Sequence, residues 1–271
     1  MTRRPGRLVL LGHPVRHSLS PRLQNAALRA AGIALTYEAL DVAPVTVPRV
    51  LAQLRAEEAA GNVTIPYKEQ VAAACSDLLP LARRTGAVNT FWTDAGRLIG
   101  DNTDVGGFEE AVRLVMGELP VEQPVAVLGA GGAAAAVLAA IERWGGCRAR
   151  VYNRTAPRAQ ALAARFPAVA TVAASDRKAV AGASLVVNAS PVGLHDDSLP
   201  VAVDALAPGS AVLDLVYRPG ETAFVRAARA HGHRAADGAR MLVEQGALAF
   251  ERWFGVSPDR AVMWEAIQIA L

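Results

Sequence analysis

The chain has 271 residues, 52% hydrophobic and 20% charged, with a net charge of +3. That is long for one compact core and sufficient for two, and it excludes a disordered chain. No apolar run is long enough to span a bilayer, and 5% aromatics with scattered Arg lack the clustered, stacking surface of a nucleic-acid binder. Cys75 and Cys147 have no metal-ligand spacing, so both read as buried thiols of a reducing cytoplasm and no metal site is expected.

The N-terminal "MTRRPGR" is basic and leads into a strand at "RLVLLG", not into a signal peptide. "LSPRLQNAALRAAG" reads as a helix with Ser20 as N-cap, Pro21 at the first helical position and Gly32 past the end. "TYEALDV" is a second strand and 46–59 a second helix. "NVTI" is a short strand feeding a helix that starts near Pro66. "AVNTFW" is another strand, and the segment after "DNTD" is helical to about Met116.

"GELPVEQP" is a connection. After it come the strand "VAVLG", the helical run "AGGAAAAVLAAIERWGG" and strands at "RARVYN", "AVATVA", "SLVVNAS" and "SAVLDLVY". Strand and helix alternate as in a parallel sheet covered on both faces. The Ala-rich tracts read as compositional bias at good helix positions. From Arg240 onward the pattern is helical only, and this segment is expected to pack on the first domain.

"VAVLGAGGAA" places Gly129, Gly131 and Ala134 at G-x-G-x-x-G/A spacing between a strand and a helix. The first glycine permits the tight turn and the second lets backbone approach a pyrophosphate. The small third residue allows close helix–strand packing. In this context the motif indicates a dinucleotide. The next strand ends "VYNRT", so Asn153 and Arg154 stand where an NAD binder usually carries an acid for the ribose hydroxyl. Arg154 can pair with a 2′-phosphate, and Arg158 is a second candidate. This favours NADP(H). Arg148, Arg150, Arg154, Arg158 and Arg165 form a local basic cluster, which a phosphorylated ligand explains in part.

Of 28 basic residues only two are lysines, Lys68 and Lys178. Arg does not give up its proton in a protein, whereas Lys does when its surroundings disfavour the charge. Lys68 in "GNVTIPYKE" is therefore a candidate proton carrier, and Lys178 reads as a solvated helix residue. Polar residues gather at other strand ends: Ser18 and Ser20 in "HSLSP", Asn62 and Thr64 in "NVT", Asn89 in "AVNT" and Asp104 in "DNTD". Singly, each type is more often a cap or turn residue. Their shared location in connections expected to converge gives them weight. His13 and His17 have no metal-ligand partners spaced with them.

The stretches "GHPVRHSLSP", "NVTIPYK", "GAVNT", "GDNTDVGGF", "GAGGAA", "NRT", "NASPVG", "DLVY" and "DGARMLVEQGALAF" occur in one order across residues 12–250. In these the chain resembles the shikimate dehydrogenases, which reduce 3-dehydroshikimate with NADPH in aromatic amino-acid biosynthesis. The resemblance implies that Lys68 and Asp104 flank the reacting carbon–oxygen bond. It implies that Ser18 and Ser20, with Tyr217, bind the substrate carboxylate, and that Asn62, Thr64, Asn89 and Gln245 hold the ring hydroxyls. Ala130, Gly131, Gly132 and Ala133 would cradle the pyrophosphate, and Asn153, Arg154 and Thr155 would take the 2′-phosphate. Val216, Gly238 and Met241 would border the nicotinamide, and Gly129, Arg158 and Asn188 are further expected cofactor-binding residues. Lys68, one turn into its helix, would donate the proton, and Asp104 would orient it.

The expected fold is α/β with two domains and a cleft between them. The first is a discontinuous substrate and catalytic domain, 1–105 plus 238–271, and the second a Rossmann-like NADP-binding domain, 106–237. Two crossings invite hinge closure over the substrate. The expected partners are small molecules, with no nucleic acid and no membrane, for a cytoplasmic monomer or homodimer. Gln24–Asn25 after "SLSP" also occurs in relatives that act on quinate. That leaves a quinate/shikimate dehydrogenase using NAD or NADP as one alternative; a non-catalytic dinucleotide-binding regulator of the same fold and a folate-type dehydrogenase of similar two-domain shape are two others.

Overall fold

The structure is a computed structural model and describes residues 4–268 and 270. The first three residues of the N-terminal stretch and residues 269 and 271 of the expected first domain lie outside the described residues. The chain divides into two compact units. One runs to Gly107 and resumes at Leu242; the other spans Phe108–Met241.

The first unit opens with β1 (Leu8–Gly12), α1 (Ser20–Ala30), β2 (Tyr37–Asp41), α2 (Val47–Ala56) and β3 (Ala60–Val63). It continues through α3 (Lys68–Ala74), β4 (Asp77–Leu78), α4 (Pro80–Thr85), β5 (Thr90–Asp94) and β6 (Arg97–Asp101). Its sheet has the order β2-β1-β3-β5-β6-β4. The β2-β1-β3 part is parallel, and β1 is buried along its whole length, as a strand covered on both faces must be. A core of Val9, Leu11, Leu51, Val63, Val71 and Phe91 packs against it.

The sheet is not parallel throughout. β5 pairs antiparallel with both β3 and β6. The sequence pattern predicts β5 but not β6. Asp94 pairs with Arg97 across a two-residue loop in which Ala95 and Gly96 both have positive φ, 47° and 74°. Such loops match the right-handed twist of a hairpin.

Two helix starts also differ from expectation. Leu19 occupies the cap position of α1, and Ser20 is its first residue. The Ser18 Oγ accepts from the Ser20 N–H at 3.2 Å, so Ser18 supplies the local turn. α3 begins at Lys68 itself, because a turn closed by Tyr67 N–H to Thr64 O at 3.0 Å occupies Pro66 and Tyr67.

α5 (Asp104–Met116) contains the boundary between the units. The second unit continues with β7 (Pro124–Leu128), α6 (Gly132–Arg143), β8 (Arg148–Tyr152), α7 (Ala156–Arg165) and β9 (Ala170–Val172). Then follow α8 (Asp176–Val180), β10 (Leu185–Asn188), β11 (Ala211–Asp214), α9 (Ala223–Ala230) and β12 (Arg234–Ala236). The sheet order is β12-β11-β10-β7-β8-β9, parallel throughout. The chain winds one way from β7 to β9 and the other way from β10 to β12, so the order reverses between β7 and β10. That switch point is where open α/β sheets bind ligands. In α6 every residue from Ala134 to Ile141 is buried. The alanines there are packing residues that admit close approach, more than compositional bias.

α10 (Ala239–Phe254) contains the second boundary, and α11 (Arg260–Gln268) follows it in the first unit. There Trp253 stacks on Tyr37 and donates from Nε1 to the Thr90 Oγ1 at 3.0 Å.

Candidate active site

In the first unit, Lys68 opens α3 and Asp104 opens α5. The Lys68 Nζ donates to the Asp104 Oδ2 at 2.6 Å, with side-chain exposures of 18% and 7%. Lys178, the other lysine, is exposed on α8. Removing one partner of a pair this sheltered would leave the other charge uncompensated. Asp104 is held from two further directions. Its Oδ1 lies 2.8 Å from the Asn89 Nδ2, and its N–H donates to the Asn102 Oδ1 at 3.1 Å.

Asn89 is the hub. Its Nδ2 also reaches Thr103 Oγ1 at 2.9 Å and Gln245 Oε1 at 3.1 Å, and its Oδ1 accepts from the Thr103 N–H at 2.7 Å. Its backbone O accepts from Asn62 Nδ2 at 3.1 Å, and Tyr37 donates its hydroxyl to Asn62 Oδ1 at 2.8 Å. Burial pushes the Tyr37 phenol well above its ordinary pKa and keeps it a donor. A fully connected network in low dielectric holds its members in single positions. Among the described residues, two of the three ammonium donors of Lys68 have no protein acceptor. They are available to an oxygen delivered from outside.

Lys68, Asp104, Asn62, Asn89 and Gln245 are thus joined in one hydrogen-bonded group. Ser18 and Ser20 sit together at the start of α1. Thr64 follows β3, with its N–H on Leu11 O at 2.9 Å. Gly12 accommodates it: a Cβ there would meet Thr64 Cγ2 at 2.4 Å. Tyr217 lies in the second unit, after β11. As a sequence motif "DNTD" points to Asp104 alone. Asn102 and Thr103, which fix Asp104 and Asn89, are in the same four residues.

In the second unit the turn between β7 and α6 is built from backbone. Gly129 has φ +125°, and a Cβ there would meet the Ala189 carbonyl oxygen at 2.6 Å, so no other residue fits. Gly131 caps α6 in an ordinary extended conformation, and a Cβ there would meet nothing within 4 Å. The fold does not need that glycine, and its missing side chain leaves the helix end open to a ligand. Ala130, Gly132 and Ala133 complete the cradle. The first N–H groups of a helix have no acceptor within it and point at such a ligand. Asn153 and Arg154 follow β8, Asn153 donating to Thr155 O at 3.0 Å, and the Arg158 N–H closes the turn on Thr155 O at 3.0 Å. The Arg154 and Arg158 guanidinium groups are exposed and have no acidic partner among the described residues. A backbone cradle at a helix end, with two unpaired guanidinium groups after the next strand, fits a pyrophosphate with an additional phosphate.

Asn188 is fully buried, and its amide is used internally. Nδ2 donates to Asp214 Oδ1 at 2.8 Å and Val192 O at 3.1 Å, while Oδ1 accepts from Ser190. It shapes the loop after β10. Asp214 also accepts from the Val216 N–H at 3.1 Å and the Thr222 hydroxyl at 2.7 Å. Burial nevertheless raises its pKa to about 6, the three donors opposing that rise and the nearby Asp237 adding to it. Val216 O accepts from the Gly238 N–H at 3.0 Å, which joins the loop after β11 to the segment leading to Met241 on α10. The motif "DLVY" by itself gives Asp214 no role; its three donors and its burial do. Among the described residues no group of three His, Cys, Asp or Glu side chains is placed to hold a metal, and no helix is long and apolar enough to cross a membrane.

Known proteins resemble this chain along its whole length. Residues 10–91 match the shikimate dehydrogenase substrate binding domain, and residues 238–268 the shikimate 5′-dehydrogenase C-terminal domain. A shikimate dehydrogenase (NADP(+)) of Symbiobacterium thermophilum is 45% identical over 100% of this chain and 96% of its own. One from Thermus thermophilus is 44% identical over 98% of both chains. A crystal structure of shikimate 5-dehydrogenase from Thermus thermophilus, in complex with NADP(H) and shikimate, superposes with a TM-score of 0.89 at 42% identity, covering 98% of this chain and 99% of that one. The doubly wound sheet, its glycine turn and the lysine–aspartate pair define a dinucleotide-dependent oxidoreductase. The chain belongs to the shikimate dehydrogenase family.

Proposed function

We propose that the chain catalyses the reversible, NADP(H)-dependent reduction of 3-dehydroshikimate to shikimate, a step of aromatic amino-acid biosynthesis. The observation that carries the reading is the Lys68–Asp104 pair, held at 2.6 Å within the Asn89 network and keeping two ammonium donors free. NADPH, when bound, supplies the hydride. Gly129, Ala130, Gly131, Gly132 and Ala133 hold its pyrophosphate, and Asn153, Arg154, Thr155 and Arg158 its 2′-phosphate side. Asn188, Val216, Gly238 and Met241 shape the nicotinamide end, Asn188 by fixing its loop.

Lys68 donates a proton to the carbonyl oxygen at C3 as that carbon is reduced, and takes it back in the reverse direction. Asp104 keeps the ammonium oriented and shares a substrate hydroxyl. Ser18, Ser20 and Tyr217 bind the carboxylate. Asn62, Thr64, Asn89 and Gln245 hold the ring hydroxyls. The ligands are small molecules, not nucleic acid, and the protein works in the cytoplasm as a monomer or homodimer.

Acid–base help of this kind is typically worth about 10²–10⁴-fold. Lys68→Ala should lower turnover by at least that range while NADPH still binds, as followed by nucleotide fluorescence. Turnover within a few-fold of the parent would remove Lys68 as the proton carrier.

A further inference from the structure

Gln24 is buried to 1% exposure on α1, one helical turn beyond Ser20. Its Nε2 donates to the Gly246 carbonyl of α10 at 2.9 Å. Gly246 is the neighbour of Gln245, whose Oε1 meets Asn89. One side-chain amide therefore ties the helix that carries Ser20 to the helix turn that carries Gln245. The site was made for this contact on both sides. A Cβ at Gly246 would lie 3.3 Å from the Gln24 Nε2 and 2.8 Å from the Leu23 Cδ1.

The tether is a poor device for stability. The Gly246 carbonyl is in the interior of α10 and already accepts a bond of the helix ladder. The Gln24 Oε1 is buried with no hydrogen-bond partner. An unpaired buried acceptor costs stability, and an apolar residue of the same length would avoid that cost. A sequence choosing only for packing would place Met or Leu there. Groups that break a local rule in this way are expected where function constrains the residue.

We propose that Gln24 is a positioning residue for the substrate. Its amide holds the Ser20 end of the site, which takes the carboxylate, in register with the Gln245 end, which takes a ring hydroxyl. The inference rests on the roles given above to Ser20 and Gln245. Loss of the tether lets the two ends drift independently, and small misplacements of binding groups cost rate and affinity steeply.

The experiment compares Gln24→Met and Gly246→Ala with the parent, and with Ser20→Ala and Gln245→Ala as references. Steady-state constants for shikimate and for NADP are measured with thermal unfolding midpoints. Gln24→Met should raise the shikimate KM about tenfold, leave the NADP KM within about twofold, and keep or raise the unfolding midpoint. Gly246→Ala, which crowds the amide off the carbonyl, should move the shikimate KM in the same direction. A shikimate KM within about twofold of the parent in Gln24→Met overturns the proposal. So does a lowered midpoint with both KM values rising together, the sign of general loosening. If Ser20→Ala and Gln245→Ala leave the shikimate KM unchanged, the reading of the site fails; if they raise it and Gln24→Met does not, only the tether fails.

Discussion

Lys68 and Asp104 are surrounded by side chains that point at them, whereas Gly129 and Gly131 are defined by side chains that are missing. In the first unit, the proposed chemistry depends on a buried network of Asn62, Asn89, Asp104 and Gln245 in which each amide or carboxylate fixes the next. In the second, the proposed recognition depends on backbone at the end of α6 and on guanidinium groups left unpaired. A site of the first kind is damaged by removing atoms, and one of the second kind by adding them.

The two glycines of the second unit sharpen that contrast most strongly. Gly129→Ala forces a side chain onto φ +125° and against the Ala189 backbone, so the fold itself should lose roughly 2–5 kcal/mol in denaturant unfolding. Gly131→Val meets open space and an ordinary backbone, so its stability should stay within about 1 kcal/mol of the parent. Its NADP KM should nonetheless rise by roughly a hundredfold, because the branched side chain fills the cradle. Equal stability losses in the two variants, or unchanged NADP binding in Gly131→Val, would break the comparison.

A smaller effect tests a place where the second unit does rely on a buried side-chain network. Asp214 is raised to about 6 in the folded protein from 3.8, chiefly by burial. The folded state therefore holds this proton more tightly than the unfolded one. The contribution to stability is fully present below about pH 4 and is lost as pH rises through about 6, in total on the order of 3 kcal/mol. Asp214→Asn cannot titrate. The unfolding free energy of the parent relative to Asp214→Asn should thus fall as pH rises from about 4 to about 7. Parallel pH profiles would show that the carboxyl is not strained by its burial.

Much of this architecture is legible in the order of residues because its signals are local. The strand–glycine–helix passage at 125–134 places β7, the turn and α6 together, and "VYNRT" places Arg154 at the end of β8. Lys68 stands out because the chain otherwise uses Arg. What escapes a linear reading is tertiary. The β5–β6 hairpin turns on Ala95 accepting a positive φ, which no propensity for Ala suggests. α3 starts two residues later than Pro66 implies, because the Thr64–Tyr67 turn takes those residues. Asn188 has the residue type of a ligand but spends its amide on Asp214 and Ser190. The Gln24 tether joins residues 222 positions apart. Network partners such as Asn102 and Thr103 lie within a recognised motif, yet only the fold shows which groups they reach.

The most direct measurement is the initial rate of oxidation, followed by nucleotide absorbance, for shikimate and quinate each paired with NADP and NAD. A rate overwhelmingly with shikimate and NADP is expected, which joins the Lys68–Asp104 pair to the unpaired Arg154 in one result. Comparable rates with quinate or NAD would contradict the assigned substrate or cofactor preference. No rate in any combination, with NADP still bound, would contradict the enzyme itself.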